Sequence, residues 1–337
     1  GDGENGWWNI VKIHLYNRQW DEVIDHFVGC LAQIGRRGLN ILIERILATA
    51  RIGDLASIAR VVGVLGRILP ILDVYDYEPP QRLGWENIQR QVMDIFTPEG
   101  ALRVPVDQRI SAAEALGGSG DPRFNSMYPE MLTIPGMKDV LLGKYPVTVQ
   151  EYQRFIENGG YEEQLYWGEG WKIKTQENWK EPFRWDDQKE HLNRPVTGVS
   201  WYEAGAYCSW LTKKTGIPFR LPTDEEWGRA AAPSEGKGDY PWGDDKPNEE
   251  LLNFNNNVGQ PTPVGIYPAG AGPEGHMDMA GNVWEWIQDL FDEGVAGRVF
   301  RGGCWVNDAQ GCRSAFRDGI HPGDRSGGLG FRLSRSV

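Results

Sequence analysis

Cysteine and histidine are the residue types best suited to hold a metal or carry redox chemistry, and the chain has few of either. The cysteines are Cys30, Cys208, Cys304 and Cys312. None lies in a CxxC spacing. The histidines are His14, His26, His191, His276 and His321. They form no HxxxH pair, and the sequence shows no Ser-His-Asp order and no P-loop. No catalytic centre is therefore evident from these residues alone.

Composition restricts the partners and the compartment. The formal net charge of -12 argues against a nucleic-acid partner, because phosphates require a basic surface. No apolar run is long enough to predict a membrane span, and the acidic start does not resemble a signal peptide. We therefore expect a cytoplasmic protein with reduced cysteines, although Cys304 and Cys312 could pair if their loop allowed it. Because the chain does not begin with Met, we expect it to be part of a longer protein.

The first part of the chain has the periodicity of short helices. Apolar residues recur at helical spacing at Ile24, Phe27, Val28, Leu31 and Ile34. Asp54 is the predicted N-cap of a helix that runs to about Leu69, where Pro70 would end or kink it. Further helices are predicted over about 39–50, 85–96 and 107–116, with a break at Pro79-Pro80 and a stop at Gly117-Gly118. We predict an α-helical domain over residues 1–124.

The second part has the pattern of short strands, turns and three capped helices. Strands are predicted at Met131–Ile134, Val140–Leu142 and Tyr145–Val147. Three capping boxes, each a hydroxyl residue followed three positions later by Glu, mark helix starts. They are Thr148-Val-Gln-Glu151, Ser200-Trp-Tyr-Glu203 and Thr223-Asp-Glu-Glu226. With 43 Gly and 15 Trp in the chain, we expect a loop-rich domain anchored by buried tryptophans, including Trp227, Trp242, Trp284 and Trp286.

A series of motifs recurs through this second part of the chain. The motifs are Tyr145-Pro-Val-Thr-Val-Gln-Glu-Tyr152, Arg194-Pro-Val-Thr-Gly-Val-Ser-Trp-Tyr-Glu-Ala204, Phe219-Arg-Leu-Pro-Thr-Asp-Glu-Glu-Trp227, Tyr240-Pro-Trp-Gly243, Met279-Ala-Gly-Asn-Val-Trp-Glu-Trp286, Arg301-Gly-Gly303 and Gly330-Phe-Arg-Leu333. Together and in this order they resemble the formylglycine-generating-enzyme (sulfatase-modifying factor) family. The resemblance implies a C-type-lectin-like fold over residues 125–337, with a small central antiparallel sheet. The fold class predicted for the whole chain is α+β. Arg301 and Arg332 are expected to tie coil carbonyls together.

The helical part carries a second resemblance. The stretch from Val104 to Gly117, followed by Gly120-Asp-Pro-Arg123, resembles the closing repeat that precedes such lectin-like domains in large signalling ATPases. It implies that residues 1–124 end a helical-repeat array, with ATPase or signalling domains upstream in the same polypeptide.

The family resemblance also bears on chemistry. Oxidising members use a cysteine pair in the loop after the Gly-Gly that matches Gly302-Gly303, and here those positions fall near Asn307 and near Ala309 or Cys312. Asn cannot act as a thiolate ligand. Sulfoxide-synthase relatives place an iron on three histidines, largely from a helical domain, and here that domain offers only His14 and His26. We therefore predict that the protein is not an enzyme and requires no cofactor, with an oxidoreductase of either kind as the alternative.

One metal site is implied by the resemblance. In the family, the segment that matches Asp278-Met-Ala-Gly-Asn-Val-Trp-Glu285 wraps a calcium ion, and oxygen ligands along a tight turn suit that ion. The predicted ligands are the carboxylates of Asp278 and Glu285 and the carbonyls of Gly281 and Val283. The alternative is that Glu285 only caps backbone amides.

The last segment, residues 302–333, resembles the variable region of proteins diversified by retroelements. The shared frame is Gly302, Gly303, Trp305, Arg313, Ser314, Ala315, Arg317, Pro322, Arg325, Gly330, Phe331 and Arg332. Adenine-directed mutation of an AAC codon never produces Lys, Glu, Gln, Met or Trp, and of these types residues 304–331 contain only Trp305 and Gln310. An ordinary turn-rich loop would also avoid such long side chains.

The resemblance implies a ligand-binding loop, with interleaved residues exposed on a fixed backbone. The predicted ligand-binding residues are Val306, Asn307, Asp308, Gln310, Phe316, Asp318, Ile320, His321, Asp324 and Ser326, with Trp305 as the floor. The predicted function is the binding of a protein or other macromolecule through this surface. The alternatives are the oxidoreductase named above and a structural domain without a ligand, which a buried loop would favour.

Overall fold

The computed structural model describes residues 3–78, 80, 85–118, 121–232, 238–292 and 297–337. The chain forms two compact units, residues 1–119 and 120–337, and each is described by itself. Pro79 of the predicted break lies outside the described residues.

The first unit is helical, as predicted. Its α-helices are α1 (Gly3–His14), α2 (Asp21–Ile34), α3 (Arg36–Leu47), α4 (Leu55–Asp73), α5 (Trp85–Val92), α6 (Pro98–Ala101) and α7 (Val106–Gly118). The periodic residues Ile24, Val28 and Leu31 lie in the core of this unit, while Ile34 is exposed. The predicted helix over 85–96 is α5 followed by a 3-10 turn, Met93–Phe96.

Helix α4 begins where predicted but ends later. Asp54 caps it, because Oδ1 accepts a hydrogen bond from the backbone N of Ser57 at 3.1 Å. The prediction that the helix ends near Leu69 is wrong, because α4 continues through Pro70 to Asp73. Ile68 and Leu72, on either side of the exposed Pro70, are fully buried. Their burial offsets the cost of a helical proline, which is about 3 kcal/mol.

The same helix, α4, is long and apolar enough to cross a membrane by length and composition. More than half of its apolar window is buried inside the helical unit, a property shared by core helices that never meet lipid. Its Arg67 forms ion pairs with Asp21 and Asp25 of α2. The composition of α4 is therefore weak grounds for a membrane span.

The second unit contains the three capped helices that the sequence predicts. They are α8 (Val149–Glu157), α10 (Trp201–Thr215) and α11 (Asp224–Ala231), and each begins at a complete capping box. A further helix, α9 (Gly170–Gln176), follows α8. The capping residues Thr148 and Ser200 are buried, so the boxes also supply hydrogen bonds to amides that water cannot reach.

Two small sheets complete this unit. The first has the order β1-β2-β8-β3 and is antiparallel. The second has the order β6-β5-β4-β7, and its β4–β7 pair is parallel. The strands are β1 (Met131–Ile134), β2 (Met137–Gly143), β3 (Phe219–Arg220), β4 (Trp284–Leu290), β5 (Arg298–Arg301), β6 (Arg317–Ile320), β7 (Leu329–Phe331) and β8 (Ser334–Ser336).

Two expectations about the strands are wrong. The single antiparallel sheet is replaced by two sheets with one parallel pair, because the last segment of the chain returns between strands that are distant in sequence. Tyr145–Val147 is not a strand. The next residue, Thr148, instead forms an isolated bridge with Pro195, which leads directly into α8.

The main core of the second unit is aromatic. Tyr207 of α10 lies with its ring centroid 5.4 Å from those of Tyr152 and Trp210, and 5.5 Å from that of Phe331 in β7. Offset and edge-to-face rings at such distances add about 0.5–1.5 kcal/mol per pair beyond the area they bury. This cluster joins α8 and α10 to the strand that follows the predicted binding loop.

A fully buried ion pair between Glu285 and Arg332 connects the two sheets. Arg332 Nε and Nη2 donate to the Glu285 carboxylate at 2.6 Å each. Arg332 also donates to the carbonyl of Gly143 at the end of β2, at 3.0 Å, and to that of Met277 at 2.9 Å. Trp227 Nε1 donates to Glu285 Oε2 at 2.7 Å. As predicted, Arg332 ties coil carbonyls together, here around a carboxylate.

We expect Glu285→Gln to destabilise the protein by about 3–5 kcal/mol, since it leaves the guanidinium of Arg332 buried without a countercharge. Urea unfolding followed by tryptophan fluorescence measures this loss. The control is Glu225→Gln, which removes an exposed ion pair with Arg229 and should cost less than about 1 kcal/mol. Glu285→Gln combined with Arg332→Met should recover part of the loss. Equal small effects of Glu285→Gln and Glu225→Gln would contradict the structural role of the pair.

Candidate ligand-binding surface

The predicted binding loop begins at a backbone conformation that requires glycine. Gly302 and Gly303 have φ values of 97° and 76°. A Cβ on Gly303 would lie 2.7 Å from the Sγ of Cys312, so a larger residue would displace that buried thiol. The loop backbone then pairs with another coil segment: Asn256 N donates to the carbonyl of Trp305, and Asn255 N donates to that of Asn307, both at 2.7 Å.

Ser314 anchors the middle of the loop. Its hydroxyl donates to the carbonyl of Ala231 at 2.6 Å, and its backbone N donates to that of Asp239 at 2.8 Å. Its own carbonyl accepts from Arg301 Nη1 at 3.0 Å. Arg301, which also pairs with Asp224 at 2.6 Å, thus ties a coil carbonyl as predicted. All three polar groups of Ser314 are therefore used to hold the backbone.

Arg325 anchors the end of the loop. Its Nη2 donates to Oε1 of the buried Glu203 in α10 at 2.9 Å, and its Nε donates to the carbonyl of Gly198 at 3.1 Å. Its guanidinium lies 4.9 Å from the ring centroid of Trp179. Glu203 accepts in addition from the hydroxyl of Tyr161 at 2.6 Å. The loop end is thus joined to the aromatic core through a charged residue.

Between these anchors, most of the predicted binding residues are exposed. We call the predicted set the display surface: Trp305, Val306, Asn307, Asp308, Gln310, Phe316, Asp318, Ile320, His321, Asp324 and Ser326. All are exposed except Trp305, Asn307 and Ile320, which are half-buried. Exposure of this many side chains counts against the alternative of a buried loop, and their role in binding stays a prediction.

Two members of the display surface also have structural contacts. The carboxamide oxygen of Asn307 accepts from Cys304 N at 2.9 Å and from Cys304 Sγ at 3.0 Å, so it shapes the loop. His321 Nδ1 accepts from Gly323 N at 3.1 Å, which holds the turn before Asp324.

An aromatic group that the sequence analysis assigned to the core extends to this surface. Trp284 of β4 is half-buried, as is Trp242, whereas Trp227 and Trp286 are fully buried as predicted. The Trp284 ring centroid lies 4.9 Å from that of Phe300 and 5.6 Å from that of Phe316. Phe316 is 38% exposed. Burial alternates along β5, where the half-buried Phe300 lies between the buried residues Val299 and Arg301, and the sequence Arg-Val-Phe-Arg does not itself show this alternation.

The predicted calcium site has contacts that count against it. Glu285 does not cap backbone amides, and its carboxylate is taken by Arg332 and Trp227. It therefore does not fit the role of a calcium ligand. Asp278 lies at a left-handed turn with a φ of 56°, and its Oδ2 accepts from Gly265 N at 2.7 Å. Its Oδ1 has no hydrogen-bond partner among the described residues, and burial raises its pKa to about 6. Calcium binding by Asp278, Gly281 and Val283 stays a prediction that rests on the turn alone.

The two loop cysteines are buried free thiols. Cys304 is 4% and Cys312 is 0% exposed, and neither forms a disulfide. Burial raises the pKa of Cys312 to about 12 and also raises the pKa of Cys304. In the absence of a bound ion, burial therefore favours the protonated form of both thiols.

The histidines are dispersed. His14 stacks on Trp20, His26 is exposed on α2, and His276 is fully buried, where burial and the charge of Arg332 lower its pKa to about 3. Within the described parts of the chain, no three His, Cys, Asp or Glu side chains group to hold a metal ion.

Comparison with known proteins identifies relatives of the second unit. Residues 125–337 match the family described as "Sulfatase-modifying factor enzyme 1-like domain". The mouse protein named "Inactive C-alpha-formylglycine-generating enzyme 2" is 30% identical over 315 residues, which cover 81% of this chain and 95% of the mouse protein. The solved "Treponema denticola variable protein 1" is 23% identical with a TM-score of 0.43, covering 62% of this chain and 92% of that one.

Relatives named as enzymes correct one prediction. The "Hercynine oxygenase" of Mycolicibacterium thermoresistibile is 33% identical over 231 residues, which cover 58% of this chain and 50% of that protein. The chain thus spans about half the length of this relative. The prediction that the protein is not an enzyme is therefore wrong. It relied on the absence of a cysteine pair and of a set of three histidines, whereas a fold can support different chemistries with different ligands.

The family resemblance drawn from the motifs is confirmed. The matched residues make up more than half of the chain, and the mouse relative aligns with four fifths of it. This protein belongs to the formylglycine-generating-enzyme (sulfatase-modifying factor) family.

Proposed function

We propose that this protein binds a protein or other macromolecular ligand through the display surface. The observation that carries the proposal is the division of residues 302–332 into two sets. Frame residues such as Ser314 and Arg325 hold the backbone by buried hydrogen bonds, while most of the predicted binding residues are exposed. A loop held in this way loses little conformational entropy on binding, and more of the contact energy then appears as affinity.

Phe316 is the proposed anchor of the interface. The exposed ring of Phe316 packs on the half-buried Trp284, which in turn packs on Phe300, and it offers apolar area to a ligand. Val306, in the same loop, is 53% exposed, so the loop exposes more than one apolar side chain. Exposed apolar groups of this kind commonly mark interaction sites.

We expect Phe316→Ala combined with His321→Ala to abolish ligand binding and to leave the melting temperature nearly unchanged. A phage-displayed random-peptide library, panned on the purified full chain, provides the probe. Peptides enriched on the wild-type protein should fail to bind this double variant. They should still bind Tyr128→Ala, which removes an exposed ring outside the display surface. Failure to enrich any peptide that depends on Phe316, or a large loss of stability in the double variant, would count against the proposal.

We further propose that the display surface is diversified by a retroelement. Adenine mutation of an AAC codon cannot produce Lys, Glu, Gln, Met or Trp. Of these types, residues 304–331 contain only Gln310 and the frame residue Trp305. Gln310 would accordingly lie outside the mutated positions.

The genomic prediction is specific. A near-copy of the coding sequence for about the last 35 residues should lie beside a reverse transcriptase gene and differ from it only at adenines. Sequencing of the locus tests this directly, and a copy that differs equally at all four bases, or no copy at all, would refute diversification.

The helical unit is proposed to be the end of a helical-repeat array in a larger cytoplasmic sensor protein that carries ATPase or signalling domains. Exposed apolar side chains in this unit, among them Ile13, Ile34 and Ile52, support the idea, since neighbouring repeats bury such faces.

An oxidative activity is the second candidate function, and the identity to hercynine oxygenase favours it. It predicts oxygen consumption by the purified chain with hercynine when Fe(II) or Cu(I) is added. An oxygen electrode measures the rate, with the metal alone as the control. A rate equal to that of the metal alone would remove this candidate.

A further inference from the structure

The arginines of the display region each pair with a carboxylate outside it, and Arg317 shares Asp224 with Arg301. Arg313 pairs with Asp239 at 3.2 Å, and Arg317 pairs with Asp224 at 3.4 Å. Arg325 pairs with the buried Glu203 at 2.9 Å. These cations are therefore occupied in holding the loop, and they offer little free positive charge to a ligand.

The aspartates of the same region differ from these arginines in their lack of ion pairs with the described residues. Asp308, Asp318 and Asp324 are exposed, and none forms an ion pair with any residue that the structure describes. Asp308 Oδ1 accepts from the backbone N of Gln310 and of Gly311, at 3.1 Å each, and Asp318 Oδ1 accepts from Gly319 N at 2.8 Å. The display surface thus carries three negative charges that the chain itself does not compensate.

One of these charges lies beside the aromatic group. In the register of the second sheet, Asp318 lies opposite Phe300, whose ring contacts Trp284, and Trp284 in turn contacts Phe316. One cation, Arg298, lies opposite Ile320 without a carboxylate partner among the described residues. It is held 4.0 Å from the ring centroid of Trp201 and donates to the carbonyl of Gln288. The guanidinium of Arg298 is thus already engaged by a ring and a carbonyl.

We infer that the ligand of this surface is a basic protein segment, in which Lys or Arg side chains flank an apolar residue. This inference rests on the proposed binding function. The apolar residue covers Phe316 and Trp284, and the cations reach Asp308, Asp318 and Asp324. Complementary charges favour basic partners over acidic ones and raise the rate of association. The net charge of -12 on the whole chain attracts the same class of partner over longer distances.

The test uses the random-peptide library on the full chain, panned at low ionic strength. Enriched peptides should carry net positive charge and at least one apolar residue. The triple variant Asp308→Asn, Asp318→Asn and Asp324→Asn should bind them with an association rate about tenfold lower. Asn keeps the Oδ1 acceptor that Gln310, Gly311 and Gly319 use, so the loop should retain its backbone.

The matched control is Asp139→Asn, Glu157→Gln and Glu162→Gln, which removes three exposed carboxylates outside the display surface. It should associate at the wild-type rate. Added salt should weaken wild-type binding of the same peptides, and this measurement requires no variant to fold.

Two kinds of failure are distinguishable. Neutral or acidic peptides that still require Phe316, equal rates for the triple variant and the wild type, or binding that does not change with salt would overturn this inference and leave the proposed function intact. Failure to enrich any Phe316-dependent peptide would overturn both.

Discussion

The buried ion pair between Glu285 and Arg332 is the interaction on which the second unit depends. Two charges removed from water are tolerated only when each is fully hydrogen-bonded, and here Trp227, Gly143 and Met277 complete the set. Because Glu285 belongs to β4 in one sheet and Gly143 ends β2 in the other, the pair links the two sheets, alongside an apolar cluster that joins Leu142 of β2 to Ile287 of β4. It also determines where the chain goes after β7, and so where the binding loop ends.

The binding loop is also held by buried polar groups whose hydrogen bonds are made within the protein. Polar groups that would be costly to bury alone, the hydroxyl of Ser314 and the guanidinium of Arg325, are satisfied by carbonyls and by Glu203. Backbone rigidity therefore does not rely on the side chains between them, which can vary in type without loss of the fold. This separation is also found in other scaffolds that display variable loops on a rigid framework.

The loop that carries the display surface also contains two buried thiols. Asn307 accepts hydrogen bonds from the backbone N and the Sγ of Cys304 through its carboxamide oxygen, and burial raises the pKa of Cys312 to about 12. The loop conformation that presents Val306 and Asp308 to solvent is thus the one that buries both thiols.

The sequence by itself determined the local features. The three capping boxes and the Asp54 cap follow from hydrogen bonds within a few residues, which need no knowledge of the rest of the chain. The family motifs are likewise readable in the sequence, and the exposure of side chains in the loop was expected from the resemblance that those motifs carry. Only the tertiary structure decided the partners of Glu285, the passage of α4 through Pro70 and the exposure of Trp284 beside Phe316. Each depends on groups far apart in sequence, where burial decides whether a carboxylate holds a metal or an arginine, and whether a tryptophan lies in the core or at the surface.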